Sequence, residues 1–432
     1  MVSFTAIVLD RLRKRDNRID ALANAVLEWW DDEALRQAAL LDQKGSAGKQ
    51  LAGVTIGVKA NIDVAGVQTN AGSRVLLESP PAIHDAPIVG QLRQAGAILL
   101  AQTNMVEFAY GALGTNPTFG TPLSPLFPGE NRVSGGSSSG AAVTVALGIV
   151  DAAIGTDTAG SVRIPAACCG TVGFKPTQGR YSEVGIIPLA PTLDTAGFLA
   201  TDVATVSRLD AAATKTIYHG TAPPRIDELY FVVPRGFIEA IRCDAAILEI
   251  FDAAIEALRQ AGAQIDERDM SYLLDPGVAA RAGSVASVEA YSWHSALLAR
   301  NVREYDPRVA PRIAAGADAS ASAYFSARRS LSVFADRYAG DVAEAAAILT
   351  PTIPTRPPRL EDLSDDDQYS AESSRIISLT EFANCINVPS LSLPLGKGTG
   401  AASILITGLH GKDIRLLETG RAVEALINKM AS

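Results

Sequence analysis

Gly135-Gly136-Ser137-Ser138-Ser139-Gly140 and, one apolar run later, Gly155-Thr156-Asp157-Thr158-Ala159-Gly160-Ser161-Val162-Arg163-Ile164-Pro165 are two Gly/Ser-rich loops set close together in the chain. Serine chemistry needs a base beside the hydroxyl. The four histidines, His84, His219, His294 and His410, all lie far from both loops in sequence. If the loops are catalytic, another base must serve them, and Lys59, closing the apolar segment Val54-Thr55-Ile56-Gly57-Val58, is the candidate. Read from its residues alone, the first loop allows three interpretations. As Gly-Ser-Ser-Ser-Gly it fits a Gly-x-Ser-x-Gly turn with Ser138 as nucleophile, but that turn follows a strand, and a Pro-rich stretch precedes it here. As a phosphate cradle it lacks the Lys-Ser/Thr ending. As flexible filler it would be exposed, whereas the apolar residues after it argue for a buried, held loop.

Outward from the loops, short strands alternate with helices. Val54 to Val58, Ala97 to Ala101 and Ala152 to Ile154 read as strands; Ala86 to Ala95, Met105 to Tyr110 and Ala141 to Leu147 read as helices. This alternation predicts an α/β fold, a mixed central sheet with helices on both faces. Gly114 to Pro128 holds four prolines and must run as an ordered loop. Residues 4 to 43 read as two or three helices, with Leu9, Leu12, Leu22, Val26 and Leu27 at helical spacing. Beyond Thr201, Leu229 to Val233 reads as a strand and Ala245 to Ala261 as an amphipathic helix. A long helical region follows from Ala279 to Ala339, then strands at Ile348 to Thr352 and Ser390 to Leu395, with the acidic stretch Glu361 to Asp367 between them as a surface excursion. The expected organisation over 1–432 is a single domain: N-terminal helices over 1–45, a core holding both loops over 53–200, and a C-terminal part over 201–432 with its helical region at 279–340.

Of 432 residues, 47% are hydrophobic and 20% charged, the balance of a globular enzyme with ample core material. A net charge of −9 disfavours nucleic acid as a partner. Cys168, Cys169, Cys243 and Cys385 show no zinc spacing and read as buried, reduced thiols; neither a metal nor a cofactor is expected. The most apolar segment, 140–156, is interrupted by Asp151 and falls short of the ~20 residues a membrane helix needs. In MVSFTAIVLDRLRKRDNRID the charge follows the apolar stretch, the wrong order for a secretory signal. No membrane association and a cytoplasmic location are therefore expected.

The two loops, with Gly173-Phe174-Lys175-Pro176-Thr177, closely resemble the signature of the amidase signature family. Gly57-Val58-Lys59, Ala71-Gly72-Ser73, Thr103-Asn104-Met105, Glu107-Phe108-Ala109, Leu193-Asp194-Thr195-Ala196-Gly197 and Leu349-Thr350-Pro351-Thr352 follow in the family's order, so that the likeness spans essentially the whole chain. The resemblance implies an amidohydrolase with a Ser-cisSer-Lys triad. Ser161 is then the nucleophile, Ser137 the proton relay behind a cis Gly136–Ser137 peptide, and Lys59 the base. It implies an oxyanion hole from the N–H groups of Thr158, Ala159, Gly160 and Ser161. A lysine acts as a base only when neutral, so Lys59 needs a pKa well below ~10.4. Tyr110, Ser138 and Arg163 are candidates for substrate contact, although opposite charges on Asp157 and Arg163 also suit a pair that fixes the loop. Arg312, Arg328 and Arg329 are candidates for holding an anion. The sequence departs from the family's pattern at Ala60, where Asp is usual, at Ser139, where Gly is common, and at Ala159, where a second Gly is common. In malonamidase-like members an Arg stands three residues past the nucleophile, and here that place is Ile164. Among family members the chain is expected to be most like the small stand-alone ones, malonamidase and the carboxybiuret hydrolases. The implied reaction is cleavage of a small carboxylic or ureido amide. A glutaminase subunit of a tRNA amidotransferase is the alternative, and a homodimer or a small accessory subunit is left open.

Overall fold

Strand residues of this chain bury one neighbour on each side of a single sheet, as period-two side-chain alternation dictates. In a computed structural model describing residues 3–396 and 398–430, eleven strands are found among the described residues. They are β1 (Val26–Trp29), β2 (Thr55–Lys59), β3 (Ile98–Thr103), β4 (Ala152–Asp157), β5 (Val172–Lys175), β6 (Thr195–Ala200), β7 (Tyr230–Pro234), β8 (Gln264–Arg268), β9 (Ala347–Pro351), β10 (Ser390–Pro394) and β11 (Ser403–Thr407). They hydrogen-bond in the order β1-β3-β2-β4-β6-β5-β10-β11-β9-β7-β8. The pairs β2/β3, β2/β4, β7/β8 and β7/β9 are parallel and the remaining pairs antiparallel, so the sheet is mixed.

Leu99, Ile154, Phe198, Phe231 and Leu349 point to one face and join a core shared with the helices Pro87–Gln94, Val203–Ala213, Ala245–Gln260 and Asp413–Met430. Their strand neighbours turn the other way and feed two separate cores. Ile98, Leu100, Ala153 and Leu199 pack with the helices Phe4–Asp16, Ser139–Ala146 and Arg163–Cys169. Val232 and Ile348 pack with Pro276–Asn301 and Ala321–Asp341. The second face therefore has a seam.

Two expectations are corrected. The N-terminal stretch is not wholly helical: after the helix Phe4–Asp16, residues 26–29 form β1, and a helix resumes at Asp31–Lys44. Val26 and Trp29 pair with Thr103 and Ala101, so the open edge of β3 captures a segment whose spacing alone reads as helix. Met105 to Tyr110 keeps only a 3-10 turn at Glu107–Ala109, with Phe108 and Ala109 at φ +46° and +63°. There the backbone bonds outward: Phe108 N–H donates to Ala71 O and Val106 N–H to Ser137 O. The helical region resolves into Pro276–Asn301, Ala310–Ala314 and Ala321–Asp341, and 361–367 is crossed by Leu360–Leu363 and the start of Asp366–Ile377. Cys168, Cys169 and Cys385 are buried, Cys243 half-buried, and all four are free. Among the described residues no helix is long and apolar enough to cross a membrane.

Candidate active site

β2 and β4 are parallel neighbours in the interior of the sheet, and their carboxyl ends deliver Lys59 and the second Gly/Ser loop to the same place. Lys59 is wholly buried. Its Nζ lies 2.8 Å from Ser137 Oγ and 2.7 Å from Thr156 Oγ1. Burial drives the amine down to about 7 even though the carboxylates of Asp157 and Asp194 pull the other way. Ser137, also wholly buried, sits in the first loop just before the helix Ser139–Ala146, behind a cis Gly136–Ser137 peptide. That loop is closely confined: Gly135 takes φ +70°, and a Cβ there would lie 2.8 Å from Cys168 Sγ.

The second loop carries Ser161, whose carbonyl accepts the Ser138 N–H at 3.2 Å and so ties the loops together. The Ser161 hydroxyl has no hydrogen-bond partner among the described residues and faces a cavity of about 370 Å³. The loop is held from behind by Asp157. Its Oδ1 accepts Gly160 N–H at 2.8 Å and its Oδ2 accepts Val162 N–H at 3.0 Å. Arg163 binds the same carboxylate in a two-pronged contact at 2.8 and 3.0 Å, and both side chains are fully buried. Burial pushes the Asp157 carboxyl up, but the guanidinium charge outweighs it and holds the group well below the usual carboxylate range.

This arrangement trims the expected oxyanion donors. Gly160 N–H is committed to Asp157, whereas the N–H groups of Thr158, Ala159 and Ser161 make no hydrogen bond among the described residues. Gly160 takes φ +127°, and Ala159 does not enter positive φ. Unused backbone donors beside a serine hydroxyl are able to receive a developing oxyanion.

Of the substrate-contact candidates, Tyr110 lines the cavity, with its hydroxyl buried and unpartnered among the described residues. Ser138 and Arg163 lie outside it. Ser138 Oγ donates to Thr156 O, and the Arg163 guanidinium bonds Asp157, Thr380 O and Asn384 Oδ1. Arg312, exposed at the cavity mouth, donates to Tyr110 O at 2.8 Å with its guanidinium 5.1 Å from the Tyr110 ring centre. Arg328 lines a different hollow and Arg329 neither.

Several residues that build the site were not singled out by sequence. Thr156 bonds Lys59. Asp194 accepts Thr158 Oγ1–H at 2.5 Å and the Leu189 and Ala190 N–H groups, anchoring one cavity wall. From the far side of the chain, Thr380 Oγ1 donates to Ala159 O at 2.7 Å and Asn384 Nδ2 to Asp157 O at 3.0 Å. Asp194 stands inside a quoted motif and so left a signal; Thr380 and Asn384 left none that spacing reveals. Ile164 and Ile377 from one core and Leu189, Leu193 and Cys385 from the other line the cavity, which therefore opens at the seam.

The protein-family model named Amidase matches residues 7–417. A 2-amino-5-chloromuconic acid deaminase of Comamonas testosteroni is 34% identical, over 98% of this chain and 93% of its own. A glutamyl-tRNA(Gln) amidotransferase subunit from Methanospirillum hungatei is 33% identical, over 87% of this chain and 93% of its own. The crystal structure of an amidase superposes with a TM-score of 0.87 at 29% identity, over 98% of this chain and 96% of that one.

Proposed function

Since the chain belongs to the amidase family, whose members hydrolyse C–N amide bonds, we propose that it works through Lys59, Ser137 and Ser161 on a small amide that carries a carboxylate. The observation that carries the reading is the fully buried Lys59 amine, 2.8 Å from Ser137 Oγ and lowered to about 7, behind a cavity that Ser161 lines.

Ser161 Oγ attacks the amide carbonyl carbon, and its proton passes by way of Ser137 to the neutral Lys59 amine. The free N–H groups of Thr158, Ala159 and Ser161 receive the charge that builds on the carbonyl oxygen. As the tetrahedral species collapses, the proton returns to the leaving nitrogen, releasing ammonia or an amine and leaving an acyl ester on Ser161. Water, deprotonated through the same relay, then cleaves that ester to the acid. Arg312 suits the carboxylate end: its guanidinium makes no ion pair among the described residues and lines the cavity over the Tyr110 ring. A cavity of about 370 Å³ suits a small ligand. The deaminase relative acts on 2-amino-5-chloromuconic acid, which supports an acidic substrate.

The test is ammonia release by the purified chain from malonamate, biuret-type, aryl and short aliphatic amides. Carboxylate-bearing members should be cleaved best, and Ser161→Ala should reduce the rate by at least about a thousandfold. Equal turnover by Ser161→Ala would overturn the assignment. The amidotransferase relatives favour a second reading, a glutaminase that needs a partner protein. Under it, the purified chain releases no ammonia until a partner is added.

A further inference from the structure

A peptide unit is planar, so an N–H is aimed by whatever holds the carbonyl on the other side of the same unit. For the free Ser161 N–H that carbonyl is Gly160 O, which accepts the Ile164 N–H at 2.7 Å in the turn that follows. For the free Thr158 N–H it is Asp157 O, and here the grip comes from outside the loop. Asn384, in the short helix Phe382–Cys385, donates its Nδ2–H to that carbonyl at 3.0 Å. Thr195 Oγ1 also reaches it, at the longer distance of 3.3 Å. Asn384 is buried, and its partners decide which way round its amide sits. Arg163 can only donate, so the amide oxygen must receive its Nη2–H, at 2.6 Å. The NH2 group is thereby turned to Asp157 O, to Asp157 Oδ1 at 3.1 Å and to Leu193 O at 3.2 Å. Asn384 is not one of the residues lining the cavity, so it reaches the chemistry only through the loop.

Thr380 grips the same loop from the same segment, but at a different peptide unit. Its Oγ1–H donates to Ala159 O at 2.7 Å, and the N–H of that unit, on Gly160, is already given to Asp157 Oδ1. One side chain thus backs a unit whose N–H is free for a substrate, and the other backs a unit whose N–H is not. We infer that Asn384 is a positioning residue for the oxyanion hole, holding the Asp157–Thr158 peptide so that Thr158 N–H meets the charge on the substrate oxygen in the transition state. This rests on the proposed amidase reaction at Ser161. A donor aimed at developing charge acts mainly in the transition state, so its loss appears in kcat and not in KM.

The test uses the best-cleaved amide of the panel as substrate. Asn384→Ala should lower kcat about a hundredfold, with KM within about threefold of the parent's. The acid limb of kcat/KM should stay in place, since Lys59 keeps its contacts with Ser137 and Thr156. Thr380→Val, which releases Ala159 O, should lower kcat by less than about tenfold. Asn384→Asp keeps the size of the side chain and an acceptor for Arg163 but has no N–H for Asp157 O. Its kcat, read above the acid limb, should fall as far as that of Asn384→Ala, and it decides the matter if the alanine variant does not fold. Equal losses in Asn384→Ala and Thr380→Val, a loss carried by KM, a moved acid limb in Asn384→Ala, parental kcat in Asn384→Asp, or failure of both Asn384 variants to fold overturns the proposal. Failure of the amidase reading is separately visible, because the parent chain would then release no more ammonia from the amide panel than Ser161→Ala does.

Discussion

At the scale of the residue, the chemistry depends on how a lysine amine is kept neutral. Burial lowers Lys59 to about 7, and the carboxylates of Asp157 and Asp194 limit how far it falls. The amine is the base only when deprotonated, so kcat/KM should rise with pH through about 7 and level off above it. Ala60, next to Lys59 and itself wholly buried, stands where the family usually has Asp. A carboxylate introduced there favours the charged amine, so Ala60→Asp should move the acid limb upward by about 1 pH unit. An unmoved limb in that variant would assign the titration to another group. Lys59, Ser137 and Ser161 were legible because their motifs are local runs of sequence. Thr380 and Asn384 were not, since each bonds to the 157–163 loop from more than two hundred residues away, and Glu381 lies between them. Arg163 was legible only as a choice between loop clamp and substrate contact, and its bonds to Asp157, Thr380 and Asn384 hold it outside the cavity.

At the scale of the element, apolar runs gave the central strands β2, β3 and β4 with small errors at their ends, because strands buried on both faces read as continuous hydrophobic segments. β1 was missed because an edge strand needs no such run; its pattern is half-exposed and its pairing is decided by β3. β8 is likewise an edge, with mostly polar residues in Gln264–Arg268. The helical elements over the cavity invite a direct test. Gly316, just after Ala310–Ala314, packs so closely on the Pro276–Asn301 helix that a Cβ would run into the Ser287 carbonyl. Backbone cannot yield as a side-chain tip can, so Gly316→Ala should displace the element bearing Arg312. Such overpacking costs about 1 to 3 kcal/mol of stability. Because Arg312 moves and the triad does not, KM for carboxylate-bearing amides should rise several-fold with kcat little changed. A fall in kcat at constant KM would place the disturbance at the triad instead.

At the scale of the whole molecule, the cavity lies where two cores meet on one face of the sheet, and buried carboxyls spread through the fold carry unusual protonation. Burial raises Glu107, Glu381 and Glu424 to about 7, Glu183 to about 8 and Asp194 to about 6. A carboxyl whose folded pKa exceeds its unfolded value contributes stability below the unfolded value, near pH 4 to 4.5, and that contribution is lost as pH rises through the folded one. For these five groups the loss runs from about pH 4 to about pH 8. Lys59 and Lys175, both lowered by burial to about 7, have the opposite sense: the folded chain binds fewer protons than the unfolded one between pH 7 and about 10.5, so stability recovers with pH only in that window. Below pH 7 the five carboxyls are opposed by the buried His294, which burial lowers to about 4 and which favours the folded chain as pH rises from about 4 to 6.5; the carboxyls outnumber it, and the net charge of −9 adds self-repulsion of their sign as pH rises. The midpoint of thermal unfolding should therefore fall from pH 5.5 to pH 7, the same interval over which the Lys59 amine becomes neutral and activity appears. Calorimetric scans at half-unit steps, set beside the pH–rate profile, check this directly. A midpoint that is flat or rising across the interval would mean that the buried carboxyls are ionised in the folded chain below pH 7. The proton balance of the folded chain then rests on cations that pair with them.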